Sequence, residues 1–377
     1  MFNEFFETWK NVNSAIQFSR EWRDIVFYSE GPWITNHLNP IIKNLTDSRN
    51  KKVTLLTSSK VDHIEIKNIK NLKIIFIGNQ SARTYLFRKF RTNLMIMSTP
   101  NLQSMQLKRE ANSRYFYTHH SPVSTHMIYQ ENAYDDFDGM FCVGPHHVKE
   151  IEEREEKLSL KKKILLKSGY PNFDNLSQIV NAPEKKKSIL LAPSWGDNSI
   201  INICLYDLIS KLIELNYKVI LRPHNMSYKK NKKKLSKAIN NFKQNKLFTL
   251  DEDPNSYVSM KNTDLLITDW SGIAFECLII KKPIIFIDTP PKVNNKNYKI
   301  ISEIPIEVSM REKIGEIIAL DEINKLSNTS FKEKIVKANN KISKNKDFIS
   351  ENFYNFGKSI NVICDQIEKL SKEINLN

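Results

Sequence analysis

Thr263-Asp-Leu-Leu-Ile-Thr-Asp-Trp-Ser-Gly-Ile-Ala-Phe-Glu276 carries the pattern on which the reading of this chain turns. The apolar run Leu265–Ile267 stops at a polar cluster, Thr268–Gly272, and the apolar-periodic stretch Ile273–Ile280 follows. Lys282-Pro283 then opens a second strand-like run, Ile284–Ile287. This is the order strand, tight turn, helix, strand. Asp269 and Ser271 are residue types that cap helix N-termini, and they stand just before the helix. Side chains and free N–H groups of such a turn face outward at the carboxyl end of a strand, where phosphate binds.

The same alternation runs outward in both directions. Toward the N-terminus, strands are expected at Asp24–Tyr28, Lys52–Leu56, Leu72–Ile77, Leu94–Met97, Arg114–Thr118, Gly139–Val143 and Lys163–Lys167. Helical patterns separate several of them, as at Pro32–Leu45 and Pro145–Lys157. The polar stretch Gln178–Lys187 reads as a linker. The alternation restarts with strands at Ser188–Ala192, Lys218–Arg222, Leu247–Leu250, Asp264–Thr268 and Pro283–Ile287. Strands alternating with helices imply parallel sheets covered by helices. The expectation is an α/β protein of two Rossmann-like domains, 1–180 and 181–345, facing an interdomain cleft. A C-terminal helical segment, 346–377, would pack back across that cleft, with its long helix from about Asp347 to Ile374.

Composition narrows the function. The 377 residues suffice for two cores, and 40% are apolar. The formal charge of +15 includes clusters at Lys161–Lys163, Lys185–Lys187 and Lys229–Lys234. These read as solvated faces or as a means of attraction to anionic lipid headgroups or a polyanionic substrate. No basic stripe interleaved with aromatics points to nucleic acid. Cys142, Cys204, Cys277 and Cys364 are scattered, which suggests a reduced, cytoplasmic setting, extending to the inner face of the membrane. No run approaches a membrane span. Phe2, Phe5, Phe6 and Trp9 form an apolar helix face, suited first to packing on the N-terminal domain and second to a membrane interface.

Four strand-end loops can carry chemistry. Tyr117-Thr-His-His-Ser-Pro-Val-Ser-Thr-His126 offers a general base, because an imidazole titrates near neutral pH; adjacent His119 and His120 point to opposite sides, so only one serves. A metal held by His119, His120 and His126 lacks a matching carboxylate. Arg222-Pro-His224 pairs a guanidinium fork with an imidazole donor, a combination suited to a diphosphate. Ala192-Pro-Ser-Trp-Gly-Asp197 presents Ser194 and backbone amides. The turn Asp269–Gly272 completes the set. There is no G-x-G-x-x-G and no Walker A sequence.

Taken in order, His119-His120-Ser121, Gly169-Tyr170-Pro171, Ala192-Pro193-Ser194-Trp195-Gly196, Arg222-Pro223-His224 and Thr268-Asp269-Trp270-Ser271-Gly272 resemble the CDP-glycerol glycerophosphotransferase family. These are the teichoic-acid primases and polymerases and their capsule relatives, with the GT-B fold. The resemblance implies that His120 deprotonates the acceptor hydroxyl, while His224 binds the donor phosphates and stabilises the leaving nucleotide. It assigns the donor to Arg222, Ser194, Thr268, Asp269, Ser271, Gly272 and Gly169. It implies a nucleotide-activated, cytidine-linked donor, a glycan or lipid-linked acceptor, and neither metal nor other cofactor. Gly196 stands where many members have Arg, Gly272 where they have a second Ser, and Ser121 where they have Gly. These departures keep open a GT-B glycosyltransferase using a CMP-, CDP- or UDP-linked sugar. A nucleotide-sugar epimerase on the same fold would draw acid/base carboxylates from Asp135, Asp136 and Asp138, which otherwise read as a solvated turn. A non-catalytic binding module is the remaining class.

Overall fold

Every strand grows from a short apolar or β-branched run, and all pair in parallel. The computed structural model describes residues 2–60, 69–104, 107–177, 187–253, 255–345 and 347–374, so most of the expected linker, 178–186, lies outside the described residues. The chain divides into two compact units. The first comprises Met1–Pro122, Tyr129–Asp174 and Asn352–Asn377; the second comprises Val123–Ile128 and Asn175–Glu351.

In the first unit β1 (Ile25–Ser29), β2 (Val53–Thr57), β3 (Leu72–Phe76), β4 (Leu94–Met97), β5 (Arg114–Thr118), β6 (Gly139–Cys142) and β7 (Ile164–Lys167) form one sheet. Its order is β3-β2-β1-β4-β5-β6-β7. Both faces are covered, as the continuous burial of β1, β2, β4 and β6 requires. One face packs Tyr28, Met95 and Tyr117 against Leu86 and Phe87 of the helix Ser81–Lys89 and against Val12 of the helix Phe2–Ile16. The other packs Phe27 and Ile96 against Leu38 of the helix Pro32–Lys43 and against Ile363 and Ile367 of the helix Ser359–Ile374. The C-terminal helix thus completes the core of the first unit, and Arg49 pairs with its Asp365 at 2.5 Å. In the first helix Trp9 packs inward, whereas Phe5 and Phe6 stay 54% and 66% exposed.

In the second unit β8 (Ser188–Leu191), β9 (Lys218–Leu221), β10 (Phe248–Leu250), β11 (Leu265–Thr268), β12 (Ile284–Ile287) and β13 (Glu316–Ile318) are ordered β10-β9-β8-β11-β12-β13. Helix Leu205–Glu214 buries Leu205, Leu208, Ile209 and Leu212 on this sheet, at the spacing of one helical face. The chain runs outward from β8 to β10, returns to β11 and runs outward the other way. The strand order therefore reverses between β8 and β11, as it does between β1 and β4 in the first sheet. A crevice outside the strand ends at such a reversal is the ligand position of open α/β sheets.

Two expectations change. The helix read from Asp347 to Ile374 is two helices, Phe348–Asn352 and Ser359–Ile374, separated by a stretch containing Gly357 at φ +75°. Strand β13 adds to the expected set; its three residues carry no period and follow directly on Gly315. A side chain at Gly315 would lie 2.5 Å from the Phe286 ring, so the glycine permits β12 and β13 to approach. No helix among the described residues is long and apolar enough to cross a membrane.

Candidate functional site

The turn after β11 is organised by one carboxylate. Asp269 is 1% exposed and accepts three backbone N–H groups: Ser194 at 2.7 Å and Trp270 at 2.7 Å on Oδ1, and Ile200 at 2.8 Å on Oδ2. The expected cap for its own helix is instead a tie. It fixes its own turn, holds the loop after β8, and serves the N-terminus of Ile200–Ile203. Gly272, in helical conformation, occupies the N-cap position of Ile273–Ile279. Thr268 is equally committed, donating from Oγ1 to the Ala192 carbonyl at 2.7 Å. These two side chains shape the switch point from within. Ser271 and Gly272 are partly exposed there, and their N–H groups make no hydrogen bond among the described residues.

Around this turn the second unit gathers its other polar groups. Ser194 is buried, and its Oγ has no hydrogen-bond partner among the described residues. Gly196 follows at φ +103°, a conformation that side chains rarely adopt, with Asn231 donating to its carbonyl at 3.0 Å and accepting its N–H at 3.1 Å. Arg222 is pinned by Asp251 at 2.7 Å. His224 accepts the Met226 N–H on Nδ1 at 3.1 Å, which places the ring proton of the neutral form on Nε2. Trp195 lies between two of these groups, its ring 6.1 Å from that of His224 and 4.1 Å from the Lys292 ammonium. Arg311, buried, donates to the Asp269 carbonyl at 2.9 Å and stacks 4.0 Å from Trp270; burial lowers its pKa to about 10, so it remains charged.

The first unit builds its own cluster after β5 and β7. His120 donates from Nδ1 to the Ser98 carbonyl at 3.1 Å, which in the neutral ring puts the basic lone pair on Nε2. Tyr170 donates to the His120 carbonyl at 2.9 Å, and Asn172 Nδ2 donates to His37 Nδ1 at 2.9 Å. The His37 and His120 rings are 6.2 Å apart. Burial, and then the proximity of His120, push the His37 pKa down to about 3, so this second imidazole stays neutral. His119 turns the other way, into an aromatic layer with His147 at 3.9 Å and Tyr117 at 4.9 Å, where burial holds it neutral. His126 falls in the second unit, and no metal-ligating cluster occurs among the described residues.

Gly169 lies in this first unit, at φ +92°, where a Cβ would stand 2.3 Å from the Tyr354 carbonyl and 2.4 Å from Ser359 Oγ. Its bareness admits the returning C-terminal segment. Gly169→Ala is therefore expected to destabilise the protein by about 2–4 kcal/mol. Urea denaturation measures this, and a variant as stable as wild type would remove the packing role. The acidic cluster is likewise engaged: Asp138 binds Arg109 at 2.7 Å, and Asp135 binds Arg154 at 2.8 Å.

A family model described as CDP-glycerol:poly(glycerophosphate) glycerophosphotransferase matches residues 15–290. The chain belongs to this family. Among solved structures, the wall teichoic acid polymerase TagF is similar over 100% of this chain and 100% of its own, at 17% identity and a TM-score of 0.60. A glycosyltransferase from Rickettsia africae ESF-5 is similar at 10% identity over 94% and 98% of the two chains, with a TM-score of 0.56. A UDP-GlcNAc 2-epimerase from Methanocaldococcus jannaschii follows at 13% identity, 92% and 99% coverage and 0.54. At such identities these likenesses establish the two-sheet GT-B fold. A search of curated proteins found no match.

The chain is thus an enzyme of the CDP-glycerol glycerophosphotransferase type. Within this glycerophosphotransferase frame the structure adds groups that the motifs did not reveal. His37 was hidden in an ordinary amphipathic helix. Lys292 was hidden among 57 Lys and Arg residues, yet it is only 9% exposed. Burial pulls its pKa from 10.5 down to about 8, with Asp269 and Glu307 acting in the opposite direction. The unfolded chain holds that proton more tightly, so the charged lysine costs stability below about pH 8, and the cost fades as pH rises toward 10.5.

Proposed function

We propose that the second unit holds the diphosphate of CDP-glycerol at the loops following β8, β9 and β11, and that His120 of the first unit activates the acceptor. The observation that carries this reading is the strand-order reversal, where Ser194 Oγ and the N–H groups of Ser271 and Gly272 have no partner among the described residues. Family membership supplies the donor class. His120 Nε2 takes the acceptor hydroxyl proton as its oxygen bonds to the β-phosphorus. The bond from that phosphorus to the bridging oxygen breaks, and CMP leaves with the oxygen. His224 Nε2–H and Arg222 stabilise the charge on the departing phosphate. Positioning and electrostatics supply most of the rate in such transfers. Asp269 and Thr268 act on the donor only by shaping the loops.

The acceptor in this reading is a hydroxyl of a glycan or lipid-linked polymer, met at the inner face of the cytoplasmic membrane, with no nucleic acid involved. Exposed Phe5 and Phe6 on the first helix, and a net charge of +15, support a peripheral contact with anionic lipid. A panel of CDP, CMP, UDP and GDP in thermal unfolding tests the donor assignment. CDP at a hundred times its Kd should add about 2.7 kcal/mol of stability. Mass analysis of the product should then show addition of glycerol phosphate with release of CMP. Indifference to cytidine nucleotides together with absence of CMP release would sink the reading.

A further inference from the structure

Lys292 follows β12 in a loop secured on both sides. Asn198 donates to the Pro291 carbonyl at 2.9 Å, and the N–H of Asn294 donates to the Met127 carbonyl at 3.0 Å. The ammonium lies 4.1 Å from the centre of the Trp195 ring, one residue from the unpartnered Ser194 hydroxyl. Among the described residues it makes no hydrogen bond and no ion pair. The two carboxylates nearest in effect are committed elsewhere: Asp269 to three backbone N–H groups, and Glu307 to the Ser124 N–H at 2.9 Å and hydroxyl at 2.6 Å. A buried ammonium without a directly bonded anion is unfavourable, and a cation–π contact and more distant carboxylates offset only part of that penalty. The arrangement is costly without ligand and complete once an anion arrives.

We propose that the Lys292 ammonium is a contact for the phosphates of the bound nucleotide, working with the Ser194 hydroxyl. This rests on the donor assignment made above. A lysine that met its anion only in the bound state would be a poor contributor to the empty protein and a strong one to the complex. Removing its charge should therefore separate stability from binding.

The experiment compares wild type, Lys292→Met and Lys292→Arg. CDP affinity is measured by calorimetry, cytidine binding by ligand-observed NMR, and unfolding midpoints without ligand. The methionine variant should bind CDP roughly ten- to a hundredfold more weakly, leave cytidine binding unchanged, and unfold at the same temperature or higher. The arginine variant should stay within about threefold of wild type for CDP, because the charge is retained. Unchanged CDP affinity in Lys292→Met would refute the contact while leaving the donor assignment standing. A parallel loss for cytidine, or an unfolding midpoint several degrees lower, would assign the lysine to packing instead. Failure of wild type itself to bind CDP would overturn the donor assignment and this inference with it.

Discussion

Replacing His120 with Ala is expected to lower kcat by about two to four orders of magnitude, the usual worth of a general base. The expectation rests on the Ser98 carbonyl, which accepts a hydrogen bond from Nδ1–H of His120 and so makes Nε2 the basic atom of the neutral ring. The neighbouring His37 is held neutral and linked to Asn172, so it does not compete for the same proton. Steady-state rates with a CDP-linked donor, recorded as a function of pH, give the decisive measurement. The variant should keep only a residual rate while its far-UV circular dichroism and CDP affinity stay as in wild type. Retention of kcat within a fewfold would remove His120 from the chemistry.

The largest effect on stability should come from Asp269. In Asp269→Ala the N–H groups of Ser194, Trp270 and Ile200 lose their acceptor inside a buried turn. Each orphaned donor costs about 1–3 kcal/mol, so a loss of about 4 kcal/mol or more is expected. Against a total stability of about 5–15 kcal/mol, that would leave much of the variant unfolded on warming. Asp269→Asn should fall between, because one amide oxygen can still accept from Ser194 and Trp270 while the new NH2 confronts the Ile200 N–H. Denaturant midpoints of the three proteins test the order. If Asp269→Ala kept wild-type stability and lost only donor binding, the carboxylate would be a ligand contact and the tie would be wrong.

These two residues show what the sequence could and could not convey. The strands were legible because a parallel strand buried on both faces is a bare apolar run, as Leu265–Ile267 and Ile284–Ile287 are. The strand-end loops followed from the same runs, with Arg222 and His224 placed just beyond β9. The role of Asp269 was not legible. Local capping grammar pointed to its own helix, whereas two of its three partners lie 69 and 75 residues away. Lys292 was invisible for a related reason: burial is a property of packing, and a lysine-rich chain offers no local mark for a lysine buried against a tryptophan. Gly169, implied by the resemblance as a donor residue, sits where the chain's last segment returns, a closeness that no sequence spacing encodes.

That return has a consequence for the order in which the molecule can be made. Ile363, Cys364, Ile367 and Leu370 complete the first unit's hydrophobic face, yet they leave the ribosome only after Asn175–Glu351 has been translated. At elongation speeds of roughly 5–20 residues per second that interval lasts on the order of ten to thirty seconds. Throughout it, the nascent first sheet presents Phe27, Leu38 and Ile96 without their final cover, a surface that chaperones recognise. The second unit is able to finish folding first, although most of it is synthesised later.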